Sequence, residues 1–393
     1  MSKKQDFSNQ ENSVINQSRR SFLKTAAATS TAAAIFGGVA PAFISSRVLA
    51  SSGEVNVFSW SDYIWPDMME SFEKATGIKI NLSTYGTNAE AFNKLKASNG
   101  TGFDVIFPTV TNGNNYYPFN LLQALDESKL NVDAVIPSVY ESSISLGATR
   151  RGERFLLPFN WGTEAVTFDS SKRNYEFGQL SYADLWSEEN AGMVTMRPKS
   201  ALISLLLLME SRGEISTNRL ADIYASEEQF NAAMDKAVEF AIANKSKVRL
   251  FWSNSSETTA AFKQNGCVIG QTWDGPGLTL QRESNNQFRY MMPKEGGLAW
   301  MDTMGIPSGA ANVEQAYAFI NHMLKPEVAA MHMNQSGYNA SVIGAEEYIK
   351  PDVKAALQAA YPAEAVAGLW WWMTEPTWLN TAWQKHVDRF VAA

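Results

Sequence analysis

From residue 54 onward the apolar positions fall into two rhythms. Residues 55–59 and 78–83 are short β-rich runs, and 105–107 is a third, ended by Pro108. Between them, 66–75 sets Met68, Met69 and Phe72 at helical spacing behind Pro66, and 90–97 is amphipathic through Phe92 and Leu95. Strand, helix, strand, helix, strand predicts a mainly parallel, doubly wound α/β sheet. Small molecules bind such sheets beyond the carboxyl ends of the strands. That rule nominates Trp60-Ser61-Asp62-Tyr63 after the first strand and Pro108-Thr109-Val110-Thr111 after the third. A second α/β region follows, with helices predicted over 201–210, 227–243 and 258–264 and strands over 248–252, 267–272 and 287–292. Helices dominate the rest, over 313–324, 326–334, 351–359 and 377–390.

The first 50 residues obey neither rhythm. Ser18-Arg19-Arg20-Ser21-Phe22-Leu23-Lys24 precedes an Ala/Thr/Gly-rich stretch at 25–40, which resembles a twin-arginine (Tat) export signal. Thr25, Thr29, Ser30, Thr31, Gly37 and Gly38 dilute the apolar run, and Pro41 ends it short of the ~20 strongly apolar residues a membrane span needs. Val48-Leu49-Ala50 supplies the residues a signal peptidase reads. A signal peptide over 1–50, cleaved after Ala50, and a periplasmic destination are therefore expected.

Charge narrows the partners. The net charge is −7, but residues 1–50 hold six basic and two acidic residues, so the remainder carries −11. No basic run follows residue 50. Nucleic acid and anionic membranes are therefore excluded as expected partners, while a cationic solute is attracted. The single cysteine, Cys267, permits no internal disulfide and reads as a small buried apolar residue. His322, His332 and His386 are dispersed, with no metal-binding spacing, and read as surface or capping residues; no metal or cofactor is expected.

Several stretches along nearly the whole mature chain are similar to one family, the periplasmic spermidine/putrescine-binding receptors of ABC importers. They include Phe58-Ser59-Trp60-Ser61-Asp62-Tyr63, Glu73-Lys74-Ala75-Thr76-Gly77-Ile78-Lys79, Ser83-Thr84-Tyr85 and Ser181-Tyr182-Ala183-Asp184-Leu185-Trp186. The most specific match is Pro293-Lys294-Glu295-Gly296-Gly297, running on through Trp300-Met301-Asp302 to Ile306-Pro307. The resemblance implies a two-lobed periplasmic binding protein fold of type II, each lobe a mainly parallel sheet flanked by helices, with the ligand in the interlobe cleft. It places lobe one at 54–159 plus 302–345 and lobe two at 160–301 plus 346–393. It also implies a monomeric receptor that delivers a small organic amine to the ABC permease subunits in the inner membrane.

An ammonium-bearing solute needs aromatic faces over the desolvated cation and carboxylates to pair with it. By resemblance these are Trp60, Asp62, Thr109, Thr111, Trp273, Asp274, Trp300, Asp302 and Tyr338, with Trp161 and Glu164 in the adjoining hinge stretch. Asp302 is the first choice as amine partner, and Trp273 and Trp300 are the expected walls. Asp62 and Asp274 serve equally well as turn or cap residues. Trp370, Trp371 and Trp372 cannot all face one side of a regular element, so at most one or two line the cleft.

One departure matters. Where polyamine receptors place acidic residues after a lobe-two strand, this chain reads Thr195-Met196-Arg197-Pro198-Lys199-Ser200. Arg197 in the cleft would repel a second ammonium and could grip a carboxylate, which points to an ω-amino acid such as γ-aminobutyrate as the alternative to putrescine or spermidine. Otherwise Arg197 faces solvent or pairs with an acid such as Glu164. A periplasmic hydrolase is the reading from another class. No GxSxG elbow, P-loop, GxGxxG turn or metal cluster supports it, so no catalytic residue is assigned.

Overall fold

The computed structural model describes residues 53–393; the export segment and its cleavage point lie outside the described residues. Strands β1 (Glu54–Trp60), β2 (Lys79–Tyr85) and β3 (Val105–Ile106) form where the apolar runs predict them. The helix Pro66–Thr76 between β1 and β2 starts on Pro66 and buries Met68 and Phe72. The helix Asn88–Ala97 is capped by Thr87, whose hydroxyl accepts from the Glu90 N–H.

After a small hairpin of β4 (Thr149–Arg150) and β5 (Glu153–Arg154), the chain enters β6 (Leu156–Asp169), fourteen residues buried without exception. There follow β7 (Val194–Met196), β8 (Val248–Phe251), β9 (Ile269–Trp273), β10 (Phe288–Met291) and β11 (Leu298–Gly305), then the two-residue strands β12 (Asn339–Ala340) and β13 (Trp370–Trp371). The strands order as β2-β1-β3-β11-β6-β9-β7-β8. β1 pairs in parallel with β2 and β3, and β7 in parallel with β8 and β9. Between these parallel groups run β6 and β11, antiparallel to each other and shared by both halves. This is the two-lobed α/β arrangement of a type II periplasmic binding protein, in which the long central strands are the hinge.

Most helices form within a turn of their predicted bounds. The short helices Gly113–Tyr116, Pro137–Ser143, Ala221–Ala225 and Ala363–Ala367 were not anticipated, nor was the longer Asp274–Glu283, whose Gly275-Pro276-Gly277 carries turn residues. Packing explains the glycine: a Cβ on Gly275 would come within 2.5 Å of Tyr338 Cε1 and 2.6 Å of the Ser336 carbonyl oxygen. The three histidines correct the expectation of surface positions, since all are buried. Each finds a partner inside: His322 Nε2 with Ser71 Oγ at 3.2 Å, His332 with Asn160 Nδ2 at 3.0 Å and the Tyr63 carbonyl at 3.1 Å, and His386 Nε2 with Asn231 Oδ1 at 2.7 Å. Burial holds His322 and His332 down at about 4, so both are neutral rings packed as polar core residues. Cys267 is buried beside Ala261, Phe262 and Leu280, just before β9 and not within it.

Candidate functional site

The ends of the parallel strands converge on one cleft that encloses about 590 Å³, part of it open to solvent. β1 delivers Trp60, Asp62 and Tyr63; the turn after β3 delivers Thr109, Thr111 and Asn112. Across from them β7 leads to Arg197 and Lys199, and β9 ends in Trp273. The hinge strand β11 contributes Trp300 and Asp302. These last two share a face because alternate residues of a strand point the same way. Every residue expected at the site lines this cleft except Trp161, Asp274 and the fully buried Glu164.

Strand register explains the first exception. In β6 against β11, Trp300 lies opposite Gly162 and Asp302 opposite Asn160, whereas Trp161 lies opposite Met301. Trp161 therefore points to the far side of the hinge, where it packs against Tyr361 with ring centroids 5.5 Å apart. Asp274 sits beneath the cleft floor, fully buried, and accepts a hydrogen bond from the Tyr361 hydroxyl. Burial pushes its carboxyl up to about 8. Sequence reasoning missed Tyr63, Asn88, Asn112, Lys199, Trp372 and Glu375 as lining residues. Of these, Tyr63 and Lys199 fall inside the stretches already singled out, and Trp372 is the one member of the tryptophan triplet that reaches the cleft.

Four tryptophans wall the space: Trp60, Trp273, Trp300 and Trp372. Trp60 is fixed by its indole N–H, which donates to the Phe107 carbonyl at 2.9 Å, and meets Trp273 edge-on at 6.3 Å. Trp300 meets Tyr338 edge-on at 5.1 Å. Edge-to-face pairs lock ring orientation, so these walls are preformed surfaces.

The carboxylates between them are held by hydroxyls. Asp302, only 3 % exposed, accepts on Oδ2 from the Tyr63 hydroxyl at 2.5 Å, while its Oδ1 has no partner. Burial pushes the Asp302 carboxyl up to about 7, and the nearby Asp62 adds to the shift, against the opposing pull of Thr109, Tyr63 and Arg197. Asp62 accepts on Oδ2 from Ser255 Oγ at 2.5 Å and from the Tyr338 hydroxyl at 2.9 Å. Burial raises it too, with the two hydroxyls opposing.

The cations are paired. Arg197 donates to Glu164 Oε2 at 2.6 Å, and Ser200 Oγ donates to the same oxygen at 2.7 Å. Lys199 donates to Glu375 Oε1 at 2.8 Å. Arg197 thus lines the cleft and pairs with Glu164 at once. The arrangement offers an ammonium two hydroxyl-supported carboxylates within aromatic walls, and offers an acceptor the remaining N–H groups of two cations. Among the described residues no group of His, Cys, Asp and Glu is gathered to hold a metal, and no helix is long and apolar enough to cross a membrane.

Comparison with known proteins gives the site its context. The family model described as bacterial extracellular solute-binding protein matches residues 67–360. The chain belongs to this family. Among curated relatives, the spermidine/putrescine-binding periplasmic protein of Escherichia coli K12 is 25 % identical over 297 residues, covering 75 % of this chain and 80 % of that protein. The putrescine/agmatine-binding protein of Pseudomonas aeruginosa is 28 % identical over 308 residues, covering 74 % and 78 %. The crystal structure of the spermidine/putrescine ABC transporter substrate-binding protein PotD from Streptococcus pneumoniae shares the fold, with a TM-score of 0.67 and 24 % identity over 86 % of this chain and 98 % of that one. This solute-binding protein therefore shares its family with receptors whose names specify polyamine ligands.

Proposed function

We propose that this chain is the periplasmic receptor of an ABC importer and clamps a small organic amine between its lobes. The observation that carries the reading is Asp302 on the cleft lining, a buried carboxylate inside tryptophan walls whose Oδ1 has no hydrogen-bond partner of good geometry among the described residues. A desolvated acceptor left unpaired costs about 1–3 kcal/mol, so the cleft favours a solute that donates there. A polyamine such as putrescine or spermidine is the first reading, supported by the ligands named for the relatives. An ω-amino acid is the second, supported by Arg197 and Lys199 on the lining. In either case the solute is bound and returned unchanged.

The lobes would be 54–159 plus 302–345 and 160–301 plus 346–393, a division supported by the pairing of Asn160 with Asp302 at the centre of the hinge. Solute touching both lobes would stabilise the closed form and so present a joined surface to the permease. The hydrogen bond from Ser255 to Asp62 spans the two lobes so defined. Ser255→Ala should weaken amine binding roughly two- to tenfold, the worth of one such bond, through faster release and with an unaltered order of preference among amines. Stopped-flow release kinetics test this, and an unchanged release rate sinks the closure role. A twin-arginine signal over 1–50 would carry the folded monomer to the periplasm.

Calorimetry on the mature protein with putrescine, spermidine, γ-aminobutyrate, taurine and glycine betaine tests the function. Heat from at least one primary amine is expected. Putrescine binding tightly while γ-aminobutyrate does nothing would end the carboxylate role of Arg197. Silence from every amine would end the amine-receptor reading.

A further inference from the structure

The Lys199 ammonium sits 5.1 Å from the ring centroid of Trp372 and 5.1 Å from that of Trp383, and 2.8 Å from Glu375. Glu375 is only 2 % exposed. Two aromatic faces around a buried carboxylate are the groups that recognise an ammonium. Here the ammonium they hold belongs to the chain. The same composition recurs two residues earlier: the Arg197 guanidinium lies 5.2 Å from the Trp273 ring and 5.8 Å from the Trp252 ring, and pairs with Glu164 at 2.6 Å. Arg197 is the N-cap and Lys199 the second residue of the helix Pro198–Ser211 that follows β7, and both line the cleft. Asp302 and Asp62, by contrast, accept from hydroxyls of Tyr63, Ser255 and Tyr338, and among the described residues neither forms an ion pair with a Lys or Arg.

We propose that Lys199 determines specificity: its tethered ammonium fills an internal cation subsite at Glu375, so the cleft accepts a solute with a single ammonium at Asp302 and an acceptor group at its other end. The inference rests on the amine-receptor reading of the cleft. A free diamine competing for Glu375 faces an ammonium already held there at the high effective concentration of a covalent tether. If it displaced Lys199, two like charges would share a low-dielectric cleft. A hydroxyl, amide carbonyl or carboxylate meets no such penalty, because Arg197 and Lys199 still offer N–H donors toward it. Arg197 Nε is buried without a partner, and an acceptor on the solute suits it as well.

Matched probes isolate the effect, since putrescine and 4-aminobutan-1-ol differ only in whether the far end is an ammonium or a hydroxyl. Wild-type protein is expected to bind 4-aminobutan-1-ol at least tenfold more tightly than putrescine. Lys199→Met, which keeps the length and apolar stem but removes the charge, should shift that ratio at least tenfold toward putrescine by baring Glu375. Adding Glu375→Gln to it should abolish the shift. Wild-type protein that binds putrescine as tightly as the amino alcohol overturns the proposal, as does a Lys199→Met variant that changes both affinities equally. Should that variant not fold, the wild-type ratio decides together with Glu375→Gln, which leaves Lys199 unneutralised and must disfavour putrescine further. If neither probe nor γ-aminobutyrate binds, the amine-receptor reading itself falls.

Discussion

Asp302→Asn is expected to weaken amine binding by about 30-fold to several thousandfold, the range seen when one partner of a buried, hydrogen-bonded charge pair is truncated. The size follows from the setting. Asp302 is 3 % exposed, lines the cleft, is anchored on one oxygen by Tyr63 and keeps the other buried without a hydrogen-bond partner of good geometry among the described residues. An amide in its place would keep the shape and lose the charge. The pH dependence gives the prediction a second readout. Burial raises the carboxyl to about 7 in the empty protein, so an ammonium must drive a proton off Asp302 when it binds below that pH. Wild-type affinity should therefore rise up to about tenfold per pH unit between pH 5 and 7 and level off above, whereas the Asn variant should lose most of that slope.

The same shift has a consequence for stability. The unfolded chain titrates Asp302 near 4, well below the folded value, so the unfolded state holds fewer protons between the two. Ionising the buried group costs the folded state progressively as pH rises from about 4 through about 7, reaching on the order of 4 kcal/mol above that window. The empty Asn variant should consequently melt at a higher temperature than wild type at pH 8, and bound amine should reverse the order. Equal affinity and equal melting temperature in both proteins would remove Asp302 from the site.

Gly162→Ala should damage binding although Gly162 is not itself a lining residue. A Cβ at Gly162 would stand 2.5 Å from Asp274 Oδ1 and 2.6 Å from Trp300 Cζ2. Neither neighbour can yield cheaply, because Asp274 is wedged beneath the floor by Tyr361 and Trp300 is held against Tyr338. Overpacking of this kind costs about 1–3 kcal/mol of stability. The displaced wall also sits two residues before Asp302 on the same strand face, so amine affinity should fall more than tenfold. Gly86→Ala is the control, since its Cβ would meet only Glu90 Oε2 at 3.9 Å. Thermal melts and calorimetry on both variants test this, and a Gly162→Ala protein that binds like wild type would show that the Trp300 wall is not a rigid part of the site.

The parts of the fold legible in the sequence were those with local rhythm. β1, β2 and β3 are short β-rich runs, their helices carry apolar stripes, and the rule that ligands sit beyond strand ends led directly to Trp60, Asp62, Thr109 and Thr111. β6 offered no such rhythm. It is buried on both faces as the shared hinge, so polar Asn160, Thr163 and Glu164 alternate with nothing and find partners only in three dimensions. Which side of that strand Trp161 faces depends on its register with β11, which the sequence does not display. Trp273, Trp300 and Asp302 were accessible through resemblance, not through pattern. The pairing of Lys199 with Glu375 joins the start of the helix after β7 to the segment after β13, 176 positions apart, and no local signal links them. The histidines were misread because buried hydrogen-bond partners such as Asn160 and Asn231 also lie far away in sequence.

The central claim is that the cleft seats an ammonium on Asp302, and a crystal structure of the mature protein with its tightest-binding amine examines it directly. The solute nitrogen is expected about 3 Å from Asp302 Oδ1, inside the ring walls of Trp60, Trp273 and Trp300. A solute bound outside this cleft, or one that turns a carbon chain or an acid group toward Asp302, would contradict the account.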